Sequence, residues 1–224
     1  LFDKDGTLFG FADTWGGWCE RVVAELAPGN AQLQQSLANA VGYDTESKSF
    51  TTGSAVVNGS ADETARLWAE LLPDLSINQV ESIGLRVLHD LPLQPVTDLH
   101  HLFSTLKQAG LVIGLATNDY ESAARTHLAQ LQVTDQFDFI CGFDSGYGSK
   151  PEPGMIHAFC RHTGLQPQQV AMIGDSTHDL HAGRAAGAGM TIGVLTGPAV
   201  REDLVEHADA VVHDISALPG LLAL

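Results

Sequence analysis

The 224-residue chain is predicted to fold as an α/β protein, a doubly wound parallel sheet interrupted by an all-α insertion. Three observations support this class. From Pro95 onwards, short apolar runs alternate with helical patterns, which is typical of parallel sheets built from strand–helix–strand units. The run 111–116 is continuously apolar, as expected for a strand covered on both faces. Between residues 13 and 90, by contrast, the sequence shows helix signals and no convincing strand.

The insertion is expected to contain four helices joined by turns. Ser60 followed by Glu63 has the spacing of a capping box, and Asn30 can cap another helix through its side-chain oxygen. The polar, glycine-containing stretch 42–59 is interpreted as a loop, and segment 91–95, with two prolines, as the exit linker. The predicted helices cover residues 15–26, 30–40, 60–72 and 76–88.

The rest of the chain is expected to form the sheet and its covering helices, with a first short strand just before Asp3. Ligands bind such sheets at the carboxyl ends of the strands, so functional side chains should follow the strands directly. The predicted helices are 97–109, 121–131, 153–164, 180–186 and 216–222. The predicted later strands are 111–116, 137–143, 170–173, 191–195 and 210–212.

The net charge of −16 argues against nucleic acid or an anionic membrane as the main partner. No apolar run is long enough to span a bilayer, and no signal peptide is recognisable. Cys19, Cys141 and Cys160 lack metal-ligand spacing, so we expect buried thiols in a reducing, cytoplasmic location. Only two apolar residues precede Asp3, so we expect further residues upstream of Leu1, with a targeting segment as an open alternative.

The most informative pattern is the octet 1–8, in which an apolar segment leads into the sequence DKDGT. The carboxylates of Asp3 and Asp5 would repel each other unless a cation lies between them or one holds a proton. Mg²⁺, which accepts carboxylate, water and phosphate oxygens, would relieve that repulsion. Gly6 permits a sharp turn beside an approaching ligand. An aspartate-rich turn is the structural alternative, whereas a calcium loop is disfavoured because residues 10–12 are not acidic.

Polar side chains also follow the next three predicted strands. Thr117 and Asn118 come after the second strand, Lys150 lies in the loop after the third, and Asp175 follows the fourth. Thr117 could simply end a strand, and Lys150 could be a solvated loop lysine. Together with Asp3, however, these groups are expected to converge in one crevice.

Ser176 and Asp179 have the spacing of a helix capping box, which is a sufficient structural explanation for both. The two interpretations are compatible, because Asp179 could cap the helix and also hold Lys150 or a metal-bound water.

The ordered motifs resemble those of the haloacid dehalogenase superfamily of phosphohydrolases over essentially the whole chain. The resemblance implies that Asp3 is the nucleophile and forms an aspartyl-phosphate, while Asp5 is the general acid and base. Carboxylate dehalogenases of this superfamily lack the second aspartate, so Asp5 favours phosphate chemistry.

The same resemblance implies the ligands of the site. The Thr117 hydroxyl, the Asn118 backbone N–H and Lys150 would bind the phosphate, and the lysine would supply the point charge that this acidic chain otherwise lacks. Mg²⁺ would be held by Asp3, the backbone carbonyl of Asp5 and Asp175. Ser176 and Asp179 would support these ligands without binding the phosphate or the cation directly.

The helical segment resembles the type I cap of the same family. This implies a core domain of residues 1–12 and 93–224 and a helical cap domain of residues 13–92. The cap is expected to exclude water and select the leaving group, although aromatic residues on a helix are more often part of a core. The candidates by position are Trp15, Trp18, Arg21 and the loop 50–59.

The resemblance thus implies a Mg²⁺-dependent phosphatase acting on a small phosphorylated metabolite, similar to phosphoglycolate phosphatases. A phosphosugar mutase is the first alternative, because it uses the same aspartyl-phosphate and a similar cap. A non-catalytic Mg²⁺-binding protein that signals through cap closure is the second.

Overall fold

The computed structural model describes residues 1–51, 53–58, 61–89 and 93–224. The chain divides into two compact units, Leu1–Gly10 with Gln94–Leu224, and Phe11–Leu93. We call the first the α/β unit and the second the helical unit. No helix within the described ranges is both long and apolar enough to cross a membrane.

The helical unit begins with a π-helical turn, Ala12–Gly16, that continues directly into the first α-helix. Asn30 caps the second helix as predicted, because its side chain accepts a hydrogen bond from the Leu33 N–H at 3.1 Å. The predicted capping residue Ser60 lies outside the described residues, as do residues 91 and 92 of the predicted linker. The helices are α1 Gly17–Leu26, α2 Ala31–Ala40, α3 Ala55–Asn58, α4 Ala61–Glu70 and α5 Ile77–His89.

The stretch predicted as a loop contains regular structure, so the helical unit is not purely α. Strand β1, Tyr43–Asp44, pairs antiparallel with β2, Ser49–Phe50, and α3 follows. The Asp44 carboxylate accepts hydrogen bonds from the N–H groups of Glu46 and Ser47 at 2.8 and 3.3 Å, which builds the turn between the strands. Strands of two residues are too short to produce an alternating pattern, so the sequence does not reveal them.

The α/β unit contains a parallel sheet, which confirms the predicted fold class. Its strands are β3 Gly114–Ala116, β4 Phe139–Cys141, β5 Ala171–Gly174, β6 Met190–Val194 and β7 Ala210–Val212. Strand β3 pairs with β4, and β6 pairs with both β5 and β7, all in parallel. Phe2 forms parallel bridges to Leu115 and Ile173, so the N-terminal segment lies between β3 and β5, at the centre of the sheet.

Helices connect and cover these strands. Helix α8 packs against β3 and β4, α7 against β4, and α9 against β5 and β6. The short helix α10 is not predicted, because five residues do not establish a helical period. The helices of this unit are α6 Leu99–Gln108, α7 Glu121–Gln130, α8 Gly154–Thr163, α9 Thr177–Ala186, α10 Arg201–Val205 and α11 Leu218–Leu221.

The predicted strand 111–116 is too long at its start. Leu111 and Val112 precede β3 and are exposed by 39% and 38%, so they are not covered on both faces. Gly110 has a left-handed φ of +81°, and the Leu111 N–H still bonds to the carbonyl of Leu106. The chain is therefore still leaving α6 at this point.

The predicted strand 137–143 is also too long. Only Phe139–Cys141 pairs with β3, and Phe143–Ser145 already forms a 3-10 turn. The apolar character of this stretch extends beyond the pairing, which depends on the neighbouring strand and not on hydrophobicity.

Candidate active site

The order of the strands brings the predicted strand-end residues to one edge of the sheet. Asp3 follows the central N-terminal segment, Thr117 follows β3 on one side, and Asp175 follows β5 on the other. Backbone hydrogen bonds hold this register: the Asp3 N–H donates to the Ile173 carbonyl at 2.8 Å, and the Ala116 N–H donates to the Phe2 carbonyl at 2.9 Å. The N-terminal segment thus places Asp3 between two other strand ends.

Lys150 is a buried cation held between two carboxylates. Its Nζ donates a hydrogen bond to Asp3 Oδ1 and another to Asp179 Oδ1, the latter at 2.6 Å. Burial lowers the pKa of Lys150, but Asp179 and Asp3 outweigh that effect, and the pKa stays above its usual value. Lys150 is therefore charged, and it is not the solvated loop lysine that the sequence allowed as an alternative.

Asp179 takes part in two arrangements at once. Its Oδ2 accepts hydrogen bonds from the backbone N–H and the hydroxyl of Ser176, at 3.0 and 2.6 Å, in a capping box at the start of α9. Its Oδ1 faces Lys150. The cap thus fixes the carboxylate that orients the lysine, and Ser176 contributes to the site by holding Asp179.

Asp3, Asp175 and Asp179 form a buried group of carboxylates whose oxygens lie within 4.8 Å of one another. Burial raises the pKa of Asp3 to about 6, with Lys150 opposing the shift. Burial and the neighbouring Asp3 and Asp179 raise the pKa of Asp175 well above its usual value. Three carboxylates face one ammonium group here, so the cluster is short of positive charge. An oxygen-rich, buried, anionic set of this kind fits a hard divalent cation.

Two glycines allow the chain to approach Asp175 closely. A Cβ at Gly6, which has a left-handed φ of +79°, would overlap the Asp175 carboxylate, and so would a Cβ at Gly197. The Thr196 hydroxyl donates to the Gly6 carbonyl at 2.6 Å, and the Thr7 hydroxyl donates to Asp175 Oδ1 at 3.2 Å. The neighbour that requires glycine at position 6 is therefore Asp175, and not only an incoming ligand as the sequence suggested.

Thr117 and Asn118 lie beside this cluster and shape its loops. The buried Thr117 hydroxyl oxygen accepts a hydrogen bond from the Asp119 N–H at 3.1 Å. The Asn118 side chain donates to the Lys150 carbonyl and accepts from the Lys150 N–H, both at 2.9 Å. The side chain of Asn118 thus clamps the backbone that carries Lys150, which is a contact that the sequence did not predict.

A second buried lysine, which the sequence motifs did not single out, lies beside Asp5. Lys4 is fully buried, and its Nζ lies 2.7 Å from Asp5 Oδ2, 3.0 Å from Asp119 Oδ2 and 3.1 Å from His127 Nδ1. Burial by itself would lower the pKa of Lys4, but Asp5 and Asp119 outweigh that effect and raise the pKa to about 12. The sequence did contain one signal for this role. A lysine that lies between two aspartates directly after a buried strand is itself expected to be buried, and a buried ammonium group requires polar or charged partners.

The specificity candidates of the helical unit separate into two groups. Trp18 is a core residue: its indole N–H donates to the Gly84 carbonyl at 2.8 Å, and its ring lies 5.3 Å from that of Trp68. Trp18 thus contributes to the core of the helical unit, as aromatic residues on a helix more often do. Trp15 is partly buried, and its indole N–H has no hydrogen-bond partner among the described residues. Arg21 is exposed on α1. The predicted loop 50–59 includes residues 52 and 59, which lie outside the described residues.

The sequence and fold are similar to those of known proteins. Residues 1–193 match the model of the haloacid dehalogenase-like hydrolase family. A phosphoglycolate phosphatase of Haemophilus influenzae is 32% identical over 120 residues, 52% of each chain, so this chain spans about half the length of that curated relative. The Escherichia coli phosphoglycolate phosphatase is also 32% identical, over 53% of this chain and 47% of its own length.

Solved structures show the same fold along the whole chain. A candidate beta-phosphoglucomutase from Thermotoga maritima superposes with a TM-score of 0.75 at 20% identity, over 99% of this chain and 96% of its own. The match to the family model covers most of the sequence, including every strand-end residue described above. The chain therefore belongs to the haloacid dehalogenase-like hydrolase family.

Proposed function

We propose that this protein is a Mg²⁺-dependent phosphatase that hydrolyses a small phosphorylated metabolite through an aspartyl-phosphate. One observation carries the proposal: Asp3 lies at the central strand end, bonded to the buried Lys150, within a cluster of three carboxylates that has only this one ammonium group bonded to it among the described residues. This arrangement combines a nucleophile, a point charge for phosphate and a cation site. The phosphoglycolate phosphatases among the relatives support the same reaction class.

The proposed chemistry assigns one role to each aspartate of the DKDGT motif. An Asp3 carboxylate oxygen attacks phosphorus, and the bond between phosphorus and the leaving oxygen breaks as the aspartyl-phosphate forms. Asp5 gives its proton to the leaving oxygen. In the second step Asp5 removes a proton from water, the water oxygen attacks phosphorus, and inorganic phosphate leaves Asp3 unmodified.

Phosphoryl transfer depends mainly on positioning and on neutralising the phosphate oxygens. Lys150 supplies a fixed positive charge, and the Thr117 hydroxyl can donate to a phosphate oxygen while accepting from the Asp119 N–H. The Asn118 side chain keeps the Lys150 backbone in place. We assign the phosphate contact of Asn118 to its backbone N–H.

Mg²⁺ would be held by the Asp3 and Asp175 carboxylates and by the Asp5 backbone carbonyl. Asp179 already binds Ser176 and Lys150, so it would support the cation site without coordinating the cation directly. When bound, the cation would keep Asp3 ionised in spite of its burial and neutralise charge on the phosphate.

The substrate is proposed to be small, and 2-phosphoglycolate is the first compound to test because the relatives are phosphoglycolate phosphatases. We assign selection of the leaving group to the helical unit, with Trp15 and Arg21 as the residues to vary. A phosphosugar mutase would differ from a phosphatase by a stoichiometric need for a bisphosphate activator.

The test is phosphate release by the full chain with Mg²⁺, using 4-nitrophenyl phosphate and a panel of phosphorylated metabolites. Asp3→Asn should abolish turnover and keep the fold, because it removes the nucleophile but not its volume. Asp5→Asn should also be inactive while still binding Mg²⁺ in calorimetry, because its proposed metal ligand is the backbone carbonyl.

The control is Asp135→Asn, which makes the same change at an exposed aspartate of the α/β unit. Turnover by Asp3→Asn within tenfold of wild type would refute the nucleophile assignment. Release of phosphate only in the presence of a bisphosphate would favour the mutase.

A further inference from the structure

Lys4 is the only residue between the two aspartates of the DKDGT motif, and it is fully buried. A buried ammonium group is costly unless all of its donors are matched. Its Nζ lies 2.7 Å from Asp5 Oδ2 and 3.0 Å from Asp119 Oδ2 in ion pairs, and 3.1 Å from His127 Nδ1 in a hydrogen bond. Lys4 is therefore held in one orientation from three sides.

Two of these partners are themselves fixed by the fold. Asp119 Oδ1 accepts the Tyr120 N–H at 2.7 Å, so this carboxylate is anchored at the end of β3. His127, on α7, must accept at Nδ1 because lysine only donates, so its ring is neutral with the proton on Nε2. Asp119 and His127 thus hold the Lys4 ammonium group in place.

Asp5 is the third partner, and its two oxygens are not equivalent. Oδ2 pairs with Lys4, whereas Oδ1 is buried without a hydrogen-bond partner among the described residues. A buried carboxylate oxygen without a partner is unusual, and it fits an atom that is reserved for a reacting group. Lys150 meanwhile holds Asp3, so each aspartate of the motif is tied to a different lysine.

We propose that Lys4 is a positioning residue that holds Asp5 by Oδ2 and directs Oδ1 towards the leaving oxygen and then the attacking water. The inference rests on the proposed function, since it presumes that Asp5 is the acid and base. Lys4 acts only through Asp5 and does not touch the substrate.

This role predicts a dependence on the leaving group. An alkoxide needs a proton as its bond to phosphorus breaks, whereas 4-nitrophenolate leaves without one. Misplacing Asp5 should slow aspartyl-phosphate formation from alkyl phosphates but not from 4-nitrophenyl phosphate. Hydrolysis of the aspartyl-phosphate should slow with both.

The experiment compares wild type with Lys4→Met, using 4-nitrophenyl phosphate and the alkyl phosphate that wild type hydrolyses best. General acid catalysis contributes about 10²- to 10⁴-fold, so kcat/KM for the alkyl phosphate should fall by about 10²-fold or more. For 4-nitrophenyl phosphate, kcat/KM should change by less than about threefold. That substrate should also show a burst of nitrophenol equal to the enzyme concentration.

The matched control is Lys107→Met, which removes a lysine that pairs at 3.5 Å with Asp138 away from the site. If Lys4→Met fails to fold, the charge-balanced variant Lys4→Met/Asp119→Asn carries the same test. In an Asp5→Asn background, Lys4→Met should cause no further loss of the burst rate, because a positioning residue has no effect without its target.

An equal fall of kcat/KM for both substrates would overturn the positioning role and leave the phosphatase intact. An unchanged kcat/KM of Lys4→Met for both substrates would also overturn the positioning role and leave the phosphatase intact. Absence of turnover by wild type would instead overturn the proposed function itself.

Discussion

Lys150 and Lys4 are both buried lysines that bind two carboxylates, but they occupy different electrostatic settings. Lys150 contacts Asp3 and Asp179, with Asp175 close by, so three carboxylates face one ammonium group. Lys4 contacts Asp5 and Asp119, and its third donor goes to the neutral His127. The region around Lys150 therefore has three carboxylates for one ammonium group, whereas the region around Lys4 has two carboxylates and a histidine for one ammonium group.

The difference indicates different tasks for the two lysines. A cluster that is short of positive charge attracts a cation and a phosphate, and it stores repulsion in their absence. The three contacts of Lys4 orient its partners, and the smaller excess of negative charge in this region attracts a cation less strongly. We therefore expect ligands to act on the region around Lys150, and the direction of proton transfer to depend on the region around Lys4.

Among the tests that compare the two lysines, the largest expected effect is that of Lys150→Met on kcat/KM. Removing one charged donor from a phosphoryl-transfer site should lower kcat/KM by about 10²- to 10³-fold. The loss should be equal for alkyl and nitrophenyl phosphates, because Lys150 binds the transferred group and not the leaving group. Steady-state kinetics with both substrates measures this.

The contrast with Lys4→Met is the informative part of that measurement. The proposed division of roles would be wrong if the fall of kcat/KM depended strongly on the leaving group in Lys150→Met and not in Lys4→Met. Inhibition by inorganic phosphate should weaken in Lys150→Met and persist in Lys4→Met.

The next effect concerns stabilisation by Mg²⁺. A cation that binds only the folded state at a hundredfold excess over its Kd stabilises by about 2.7 kcal/mol. For a chain of this size the melting temperature should rise by roughly 5–10 °C. Asp175→Ala should lose most of this rise and, because it relieves repulsion, should be more stable than wild type without metal.

Asp119→Asn serves as the counterpart for that measurement, because Asp119 belongs to the region around Lys4. Its melting temperature should still rise with Mg²⁺. Equal increments in wild type and Asp175→Ala over several Mg²⁺ concentrations would show that Asp175 is not a ligand.

The smallest expected effect concerns how the free energy of unfolding depends on pH in the absence of metal. The region around Lys150 and the region around Lys4 should contribute in different pH ranges. The pKa of Asp3 is about 6 in the folded chain, against a usual 3.8, so the folded state binds more protons between these values. Its contribution to the free energy of unfolding is therefore present below about pH 4 and is lost as pH rises to about 6. The pKa of Lys4 is raised to about 12 from 10.5, so its contribution is lost only when pH rises through that range.

Denaturation of wild type and Asp3→Asn in a chelator, from pH 4 to 7, isolates the carboxylate effect. The stability of wild type relative to Asp3→Asn should decrease over this range. A difference that stays constant with pH would show that Asp3 titrates normally.

Some features could be predicted from local patterns alone. Alternating strands and helices predict the parallel sheet, Asn30 predicts a helix cap, and the expectation of buried thiols is confirmed for all three cysteines. The positions of Asp3 and Asp175 after apolar segments placed both carboxylates at strand ends. These features depend on residues close together in the sequence, so their signals survive without knowledge of the fold.

Other features were decided by pairing between distant segments. Leu111 and Val112 are as apolar as β3, but only the register with β4 determines that they lie outside the sheet. The hairpin at Tyr43–Phe50 arises from four paired residues, which is too few for a periodic signal. Trp18 lies in a core because Trp68 and Gly84, far along the chain, pack against it.

The sheet class and the order of the strand-end groups can be predicted from the sequence, because short-range hydrophobic patterns and turn residues encode them. Long-range packing, by contrast, brings Lys4 to Asp119 and His127, more than 100 residues away, and places both Gly6 and Gly197 against Asp175. A buried charge selects its partners by proximity in space, and proximity between remote segments exists only after the sheet has formed.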